Sequence, residues 1–257
     1  MADIEKFDTC IVSCSDPRVT PTLEALQTLD EHGRTLMIRV PGGLLNRSII
    51  EEVIESGAKT VFILDHTDCA AHKNIYEEIG NAENGSLAAK VRRALESRGL
   101  MEGINGGKEL AAKIEELHIK SLEEEFERKL QEVADPRRVR TSTINVTGLS
   151  TNPVKALIIS DDPSKTSAQI IRETGVDVGS AYIIKAKEIK GGYVTLLREV
   201  TKNKETGEPA REIWLVQRES NLKLRVKLAL DGTGRHIIGA LRAESGAAVG
   251  ERRKITK

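Results

Sequence analysis

The sequence predicts an α/β protein with a mostly parallel central sheet and flanking helices. Short apolar runs of strand length recur through the first hundred residues, and a stretch with helical spacing follows each of them. The same alternation begins again after Pro153. A chain of 257 residues is long enough for one large domain or two modest ones, each with its own core.

The elements follow in order. Thr9 to Cys14 reads as a buried strand, Pro21 to Glu31 as a helix, and Thr35 to Val40 as a second strand. Asn46 to Ser56 is helical and Thr60 to Leu64 forms a third strand, with helical pattern again from Ala70. The longest helix runs from Leu110 to Val133, where Leu110, Ile114, Leu117, Leu122, Phe126, Leu130 and Val133 recur mostly at three- and four-residue steps. Glu123, Glu124 and Glu125 form its solvated face, and Asp135-Pro136 stops it. Thr141 to Thr147 is rich in β-branched residues, as a strand requires.

The second half can be laid over the first. Ile11-Val12-Ser13-Cys14-Ser15-Asp16-Pro17-Arg18 falls on Leu157-Ile158-Ile159-Ser160-Asp161-Asp162-Pro163-Ser164, and Leu36 to Arg39 falls on Tyr182 to Lys185 without a gap. With small insertions, Gly42-Gly43 meets Gly191-Gly192, Ser56-Gly57 meets Thr206-Gly207, and Phe62 to Leu64 meets Trp214 to Val216. The predicted organisation is a lobe over 1–139, a degenerate repeat or accessory α/β lobe over 140–245, and a loose basic tail over 246–257. If the repeat holds, Gly192 to Lys204 is helical; read alone, that stretch is half of a hairpin with Arg211 to Arg218.

Composition narrows the function. Basic and acidic residues balance at 39 each, and aromatic residues are 3% of the chain, which argues against a strongly basic nucleic-acid binder and against stacking platforms for single strands. The balance hides an asymmetry: 18 basic against 26 acidic residues up to Val139 (−8), and 21 against 13 from Arg140 (+8), so the halves should attract. No apolar run approaches the length of a membrane span, and the start lacks the order of a signal peptide, so the expected address is cytoplasmic. Three cysteines are too few and too odd for a disulfide framework, and fit buried, reactive or metal-bound thiols.

Cys14 stands at the end of the first strand, and His66-Thr67-Asp68-Cys69 at the end of the third. Ligands bind an open parallel sheet in the crevice at the carboxyl ends of its strands, so both segments should converge there. Cys14, His66 and Cys69 together supply a Cys₂His set with a fourth position open, as catalytic zinc requires. Asp16 faces the same crevice and is placed to occupy that position or to orient the water in it. Arg18 can hold Asp16 through a charge-assisted bond and keep it off the metal. Cys10 reads as a buried apolar residue, and His32, His118 and His236 as surface or core. A helix beginning near Ala70 should turn His72 away from the strand ends.

Cys14-x-Asp16-x-Arg18, then Ile38-Arg39-Val40-Pro41-Gly42-Gly43, then His66-Thr67-Asp68-Cys69 resemble, in this order and separation, the β-class carbonic anhydrases over about residues 9–75. The resemblance implies reversible hydration of carbon dioxide to bicarbonate by metal-bound hydroxide, with Cys14, His66 and Cys69 holding Zn2+ and Asp16 with Arg18 as the dyad beside it. It implies a small-molecule substrate, no membrane partner, and either a homo-oligomer or an intramolecular pseudo-dimer. Asp65 and Ala70 stand where the family usually has glycine, and Val40-Pro41 where it more often has Asn-Ala. Two further readings stay open: hydrolysis of carbonyl sulfide or carbon disulfide on the same zinc chemistry, and a catalytically silent, zinc-stabilised binding or assembly module.

Overall fold

The apolar runs of the first half become strands β1 (Thr9–Cys14), β2 (Thr35–Val40) and β3 (Thr60–His66) in a computed structural model. The structure describes residues 7–28, 34–130, 138–149, 156–163, 165–189, 191–200, 212–217 and 239–242. Helices α1 (Thr20–Thr28) and α2 (Arg47–Glu55) connect the first three strands, and α3 (Ala70–Ile79), α4 (Leu87–Glu96) and α5 (Gly107–Leu130) follow them. Helix starts use local chemistry: Asn46 caps α2 by accepting the Ile49 N–H at 3.1 Å, and Ser86 caps α4 through the Ala89 N–H. Strand β4 (Arg138–Ile144) follows α5, and the second half comprises β5 (Ala156–Ser160), α6 (Ser167–Thr174), β6 (Ala181–Lys185), α7 (Gly191–Val200), β7 (Glu212–Gln217) and β8 (Gly239–Arg242). No helix among the described residues is long and apolar enough to cross a membrane.

All eight strands form one sheet in the order β4-β3-β1-β2-β6-β5-β7-β8. Every neighbouring pair is parallel except β2 and β6, which run antiparallel at the bridge between Arg39 and Lys185. Read outward from that seam, each half gives the same sequence of strands: second, first, third, edge. Arg39 and Lys185, which the repeat aligns, therefore face each other. The seam is stitched reciprocally, with the Met37 N–H donating to the Pro163 carbonyl at 3.4 Å and the Ile183 N–H to the Ser15 carbonyl at 3.1 Å. On one face of the sheet Cys10, Val12, Ile38 and Ile75 share a continuous core with Leu157, Ile159, Tyr182 and Leu215. On the other face each half keeps its own core, around Ile11, Leu23 and Met37 in one and Ile158, Ile170 and Ile183 in the other.

Two expectations need correction. The boundary at 139/140 falls inside β4, and all seven residues of that strand pair with β3. The strand therefore extends the first half's sheet. The alignment of β1 with β5 is also shifted by one residue. Ile11 pairs with Met37 and Phe62, whereas the residue that pairs with Ile183 and Trp214 is Ile158, so Ile11 corresponds to Ile158 and Cys14 to Asp161, not Ser160. The helical reading from Gly192 prevails over the hairpin, since α7 occupies 191–200. The ends of the helices expected at 21–31, 110–133 and 192–204, the Thr206-Gly207 anchor, the repeat position Ser164, His32, His236 and the tail 246–257 lie outside the described residues.

Lysine does not replace arginine at the seam. Arg39 is fully buried and spends its fork on the Cys14 carbonyl (3.2 Å), the Asp16 carbonyl (2.9 Å), Thr20 Oγ1 (3.0 Å) and Ser167 Oγ (3.4 Å). Lys185 is equally buried, but its Nζ has no hydrogen-bond partner among the described residues, and burial together with the Arg39 charge lowers it to about 7. A single ammonium on a flexible stem cannot reproduce the planar fork that ties Arg39 to the chain leaving β1.

Candidate metal centre

Parallel pairing of β1 with β3 brings the ends of both strands to one edge of the sheet, and Ser13 Oγ ties them by donating to the Leu64 carbonyl at 3.0 Å. Cys14 leaves the end of β1. His66 ends β3, and Cys69 stands just before α3. Cys14 Sγ, a ring nitrogen of His66 and Cys69 Sγ lie within 4.8 Å of one another, all buried. His66 Nδ1–H donates to the Thr67 carbonyl at 2.9 Å, which leaves Nε2 facing the sulfurs, and that buried atom has no hydrogen-bond partner among the described residues. The two sulfurs are 3.9 Å apart, far beyond a disulfide bond. Tetrahedral zinc with bonds of about 2.3 Å to each thiolate would place them about 3.8 Å apart.

The electrostatics also call for a cation. Burial alone would raise Cys14, but the Cys69 hydrogen bond and the His66 charge and hydrogen bond outweigh it and hold its thiol well below the ordinary range. Burial raises Cys69, and the neighbouring Cys14 thiolate adds to the rise. His66 rises to about 9 because the Cys14 charge and hydrogen bond overcome desolvation. Two buried thiols 3.9 Å apart and an imidazole nitrogen without a partner among the described residues are a donor set that fits zinc.

Asp16 stands beside this group, with Oδ2 4.0 Å from His66 Nε2. Arg18 grips it at Nε to Oδ1 (3.0 Å) and Nη2 to Oδ2 (2.7 Å), and the Arg18 backbone N–H adds a third bond at 2.9 Å. All five residues expected at the site are therefore brought together.

Cys10 is buried as the sequence suggests, whereas His72 is not turned away from the strand ends but packs on the turn that leaves β2. Cys10 is fully buried four residues back along β1, about 13 Å from Cys14 at the rise of a strand. His72 donates from Nε2 to the Gly42 carbonyl at 2.8 Å. Gly42 sits at φ +66°, and a Cβ there would meet the His72 ring at 2.9 Å. Its N–H donates to Cys14 Sγ at 3.2 Å, so this glycine turn serves the thiolate directly. Asp65, in place of the usual glycine, accepts the His66 N–H at 2.7 Å.

Residues beyond α5 complete the surroundings. Tyr193 on α7 donates from its hydroxyl to the Leu44 carbonyl and accepts from Asn46 Nδ2 at 3.0 Å, bracing the chain that follows the glycine turn. Tyr182 on β6 is near enough to the site that, after burial, the charges of Asp16 and Cys14 raise its phenol further. Thr67 accepts the Val146 N–H on Oγ1 at 2.9 Å and donates its own N–H to the Ile144 carbonyl at 3.0 Å, so the end of β4 fixes the His66–Cys69 segment. No motif marks Tyr182, Tyr193 or Val146. The repeat, which lays Tyr182 over Leu36, was the available signal for the first of these.

A scan against protein-family models finds no match, and a search of curated proteins finds none. A search of solved structures does return matches. One likeness falls on a β-class carbonic anhydrase. The structure is that of the β-carbonic anhydrase CcaA, at 18% sequence identity and a TM-score of 0.38, over 54% of this chain and 74% of that chain.

His118 on α5 supports the same loop by accepting the Leu45 N–H on Nε2 at 3.1 Å, and burial lowers it to about 3. The unfolded chain takes up this proton near pH 6.5 and the folded chain only near pH 3, so stability is full above 6.5 and is lost as pH falls through that window. We expect a slope of up to about 1.4 kcal/mol per pH unit from this residue. His118→Gln keeps an acceptor without the titration, so urea midpoints measured from pH 7 to 4 should fall less steeply in the variant. Parallel profiles would show that His118 does not contribute.

Proposed function

We propose that the chain is a zinc lyase of the β-carbonic anhydrase kind, converting carbon dioxide and water to bicarbonate. The convergence of Cys14, His66 and Cys69 beside an arginine-held Asp16 carries this reading. Zinc bound there would supply the Lewis acidity that makes water nucleophilic near neutral pH. The chain's own groups do the rest. Cys14 and Cys69 would neutralise the metal's formal charge, and the backbone carbonyl on His66 Nδ1 fixes the ring. Asp16, held by Arg18 beside the ligand group, is placed to accept a hydrogen bond there. A ligand set with two thiolates would supply weaker Lewis acidity than three imidazoles, so activity should rise toward alkaline pH. Stopped-flow hydration of carbon dioxide by zinc-loaded protein tests the reading. A zinc-loaded chain with no activity from pH 7 to 9 would leave the silent binding module, and activity on carbonyl sulfide or carbon disulfide instead would select that hydrolase.

We also propose that the second half is a decayed copy of the first, giving an intramolecular pseudo-dimer with one metal site. The mirrored strand order and the meeting of Arg39 with Lys185 at the seam support it. In this copy Cys14 has become Asp161. The repeat then reaches into the catalytic half through Tyr182 and Tyr193.

Arg18→Ala should lower turnover far more than metal content, because Arg18 touches Asp16 and none of the three ligand atoms. A charge-assisted hydrogen bond contributes about 1.5–3 kcal/mol, which converts to a rate loss of roughly ten- to a hundredfold. Zinc analysis beside the hydration rate checks this, and an unchanged rate from pH 7 to 9 would remove the pair from the mechanism.

A further inference from the structure

We infer that the Asp68 carboxylate is a positioning group that steadies Arg18 and thereby keeps the Asp16 carboxylate off the metal; this rests on the metal-site reading proposed above. Arg39 holds the backbone at Asp16, but the Asp16 and Arg18 side chains sit two residues apart on one turn, so their mutual bonds alone would let the two side chains shift together. Arg18 has a second anchorage. Its Nη2 donates to the Asp68 carbonyl at 3.0 Å, and Nη1 reaches Asp68 Oδ2 at 3.5 Å. Asp68 lies between two of the ligands, His66 and Cys69, so this contact references the dyad to the segment that carries the metal. With Arg18 pinned at both ends, Asp16 Oδ2 stays 4.0 Å from His66 Nε2, beside the ligand group.

The backbone of Asp68 supports a dedicated role. Its φ is +57°, and it is the non-glycine residue with positive φ among those described. Glycine would take this conformation freely, whereas a side chain with a Cβ is disfavoured there. What aspartate adds is a carboxylate held between two cations: Oδ2 toward Arg18, and Oδ1 on the Lys73 ammonium. The Asp68 side chain is 49% exposed while that of Arg18 is 10% exposed. The anchorage therefore runs from solvent to the buried dyad, and salt should weaken its outer end first.

The test uses full-length protein loaded with cobalt(II), whose visible spectrum reports its ligands, with azide as a probe of the open position. Asp68→Asn keeps the shape and removes the charge; Asp68→Gly keeps the left-handed backbone and removes the side chain. In both, a freer Asp16 should compete for the metal. Azide affinity should then fall by about two- to fivefold, the range a half-exposed ion pair can supply. The cobalt bands should respond less to pH between 6 and 9, and the acid limb of the hydration profile should move toward higher pH. Half-molar sodium sulfate should move the parent toward the variants. Glu51→Gln, which breaks the exposed Arg47 pair on α2, should change none of these. Variants that bind cobalt with the parent's spectrum and azide affinity would overturn the inference and leave the metal site standing. A parent that takes up neither cobalt nor zinc would overturn the site itself.

Discussion

Cys69→Ser is expected to lose most of its bound zinc after dialysis, while the parent keeps one zinc per chain. Cys69 Sγ lies 3.9 Å from Cys14 Sγ and belongs to the one group of three metal-ligating side chains that converges among the described residues. Loss of a residue that only orients a ligand typically costs 10- to 100-fold in metal affinity, so loss of a ligand should cost more than about a hundredfold. The serine hydroxyl is not ionised at neutral pH and leaves the metal's charge half neutralised. Cys10→Ala is the matched control. Cys10 is as buried as Cys69, but it sits in the apolar core at the other end of β1, and burial raises its thiol. It should lose some stability and no zinc. Elemental analysis of both variants decides the matter: full zinc in Cys69→Ser, or two zincs in the parent, would overturn the assignment.

Ending the chain after Leu149 should give a protein that aggregates or pairs with itself, with reduced hydration activity although every ligand is retained. This cut spares β4 and the Ile144 and Val146 contacts that hold Thr67, which a cut near Arg140 would not. It strips the β2 edge of its antiparallel partner, and a long unpaired apolar edge is a template for association. It also uncovers the face that Leu157, Ile159, Tyr182 and Leu215 share with Val12, Ile38 and Ile75. Each such side chain contributes about 1.5–3 kcal/mol when fully buried. The exposed Lys187–Glu55 pair across the halves contributes about 0–1 kcal/mol, so charge orients the halves while burial holds them. Tyr193 is lost as well, and with it the brace on Leu44 and Asn46. Light scattering after gel filtration, with zinc content and rate, checks all of this. A monomeric, fully active fragment would make the second half an independent domain and end the duplication argument.

By itself the sequence determined what depends on neighbours along the chain. Strands Thr9–Cys14 and Thr35–Val40 are read to the residue, because each apolar run is bounded by polar residues or by Pro and Gly. The candidate site was legible too. Cys14, Asp16, Arg18, His66 and Cys69 sit at the ends of two strands that pair in parallel, and a parallel sheet leaves those ends nowhere else to go. What the sequence could not fix was pairing across long separations. Strands β1 and β5 are almost wholly buried on both faces, so no alternation of polar and apolar residues records their register. A slip of one residue left the hydrophobic match intact and laid Cys14 over Ser160 instead of Asp161. Likewise the antiparallel meeting of β2 with β6 is set by two edges closing over one shared core, and that decision carries Tyr182 and Tyr193 to the metal side of the molecule. Only the tertiary structure decides it, because the energy of a shared core belongs to surfaces brought together from both halves and is written in neither alone.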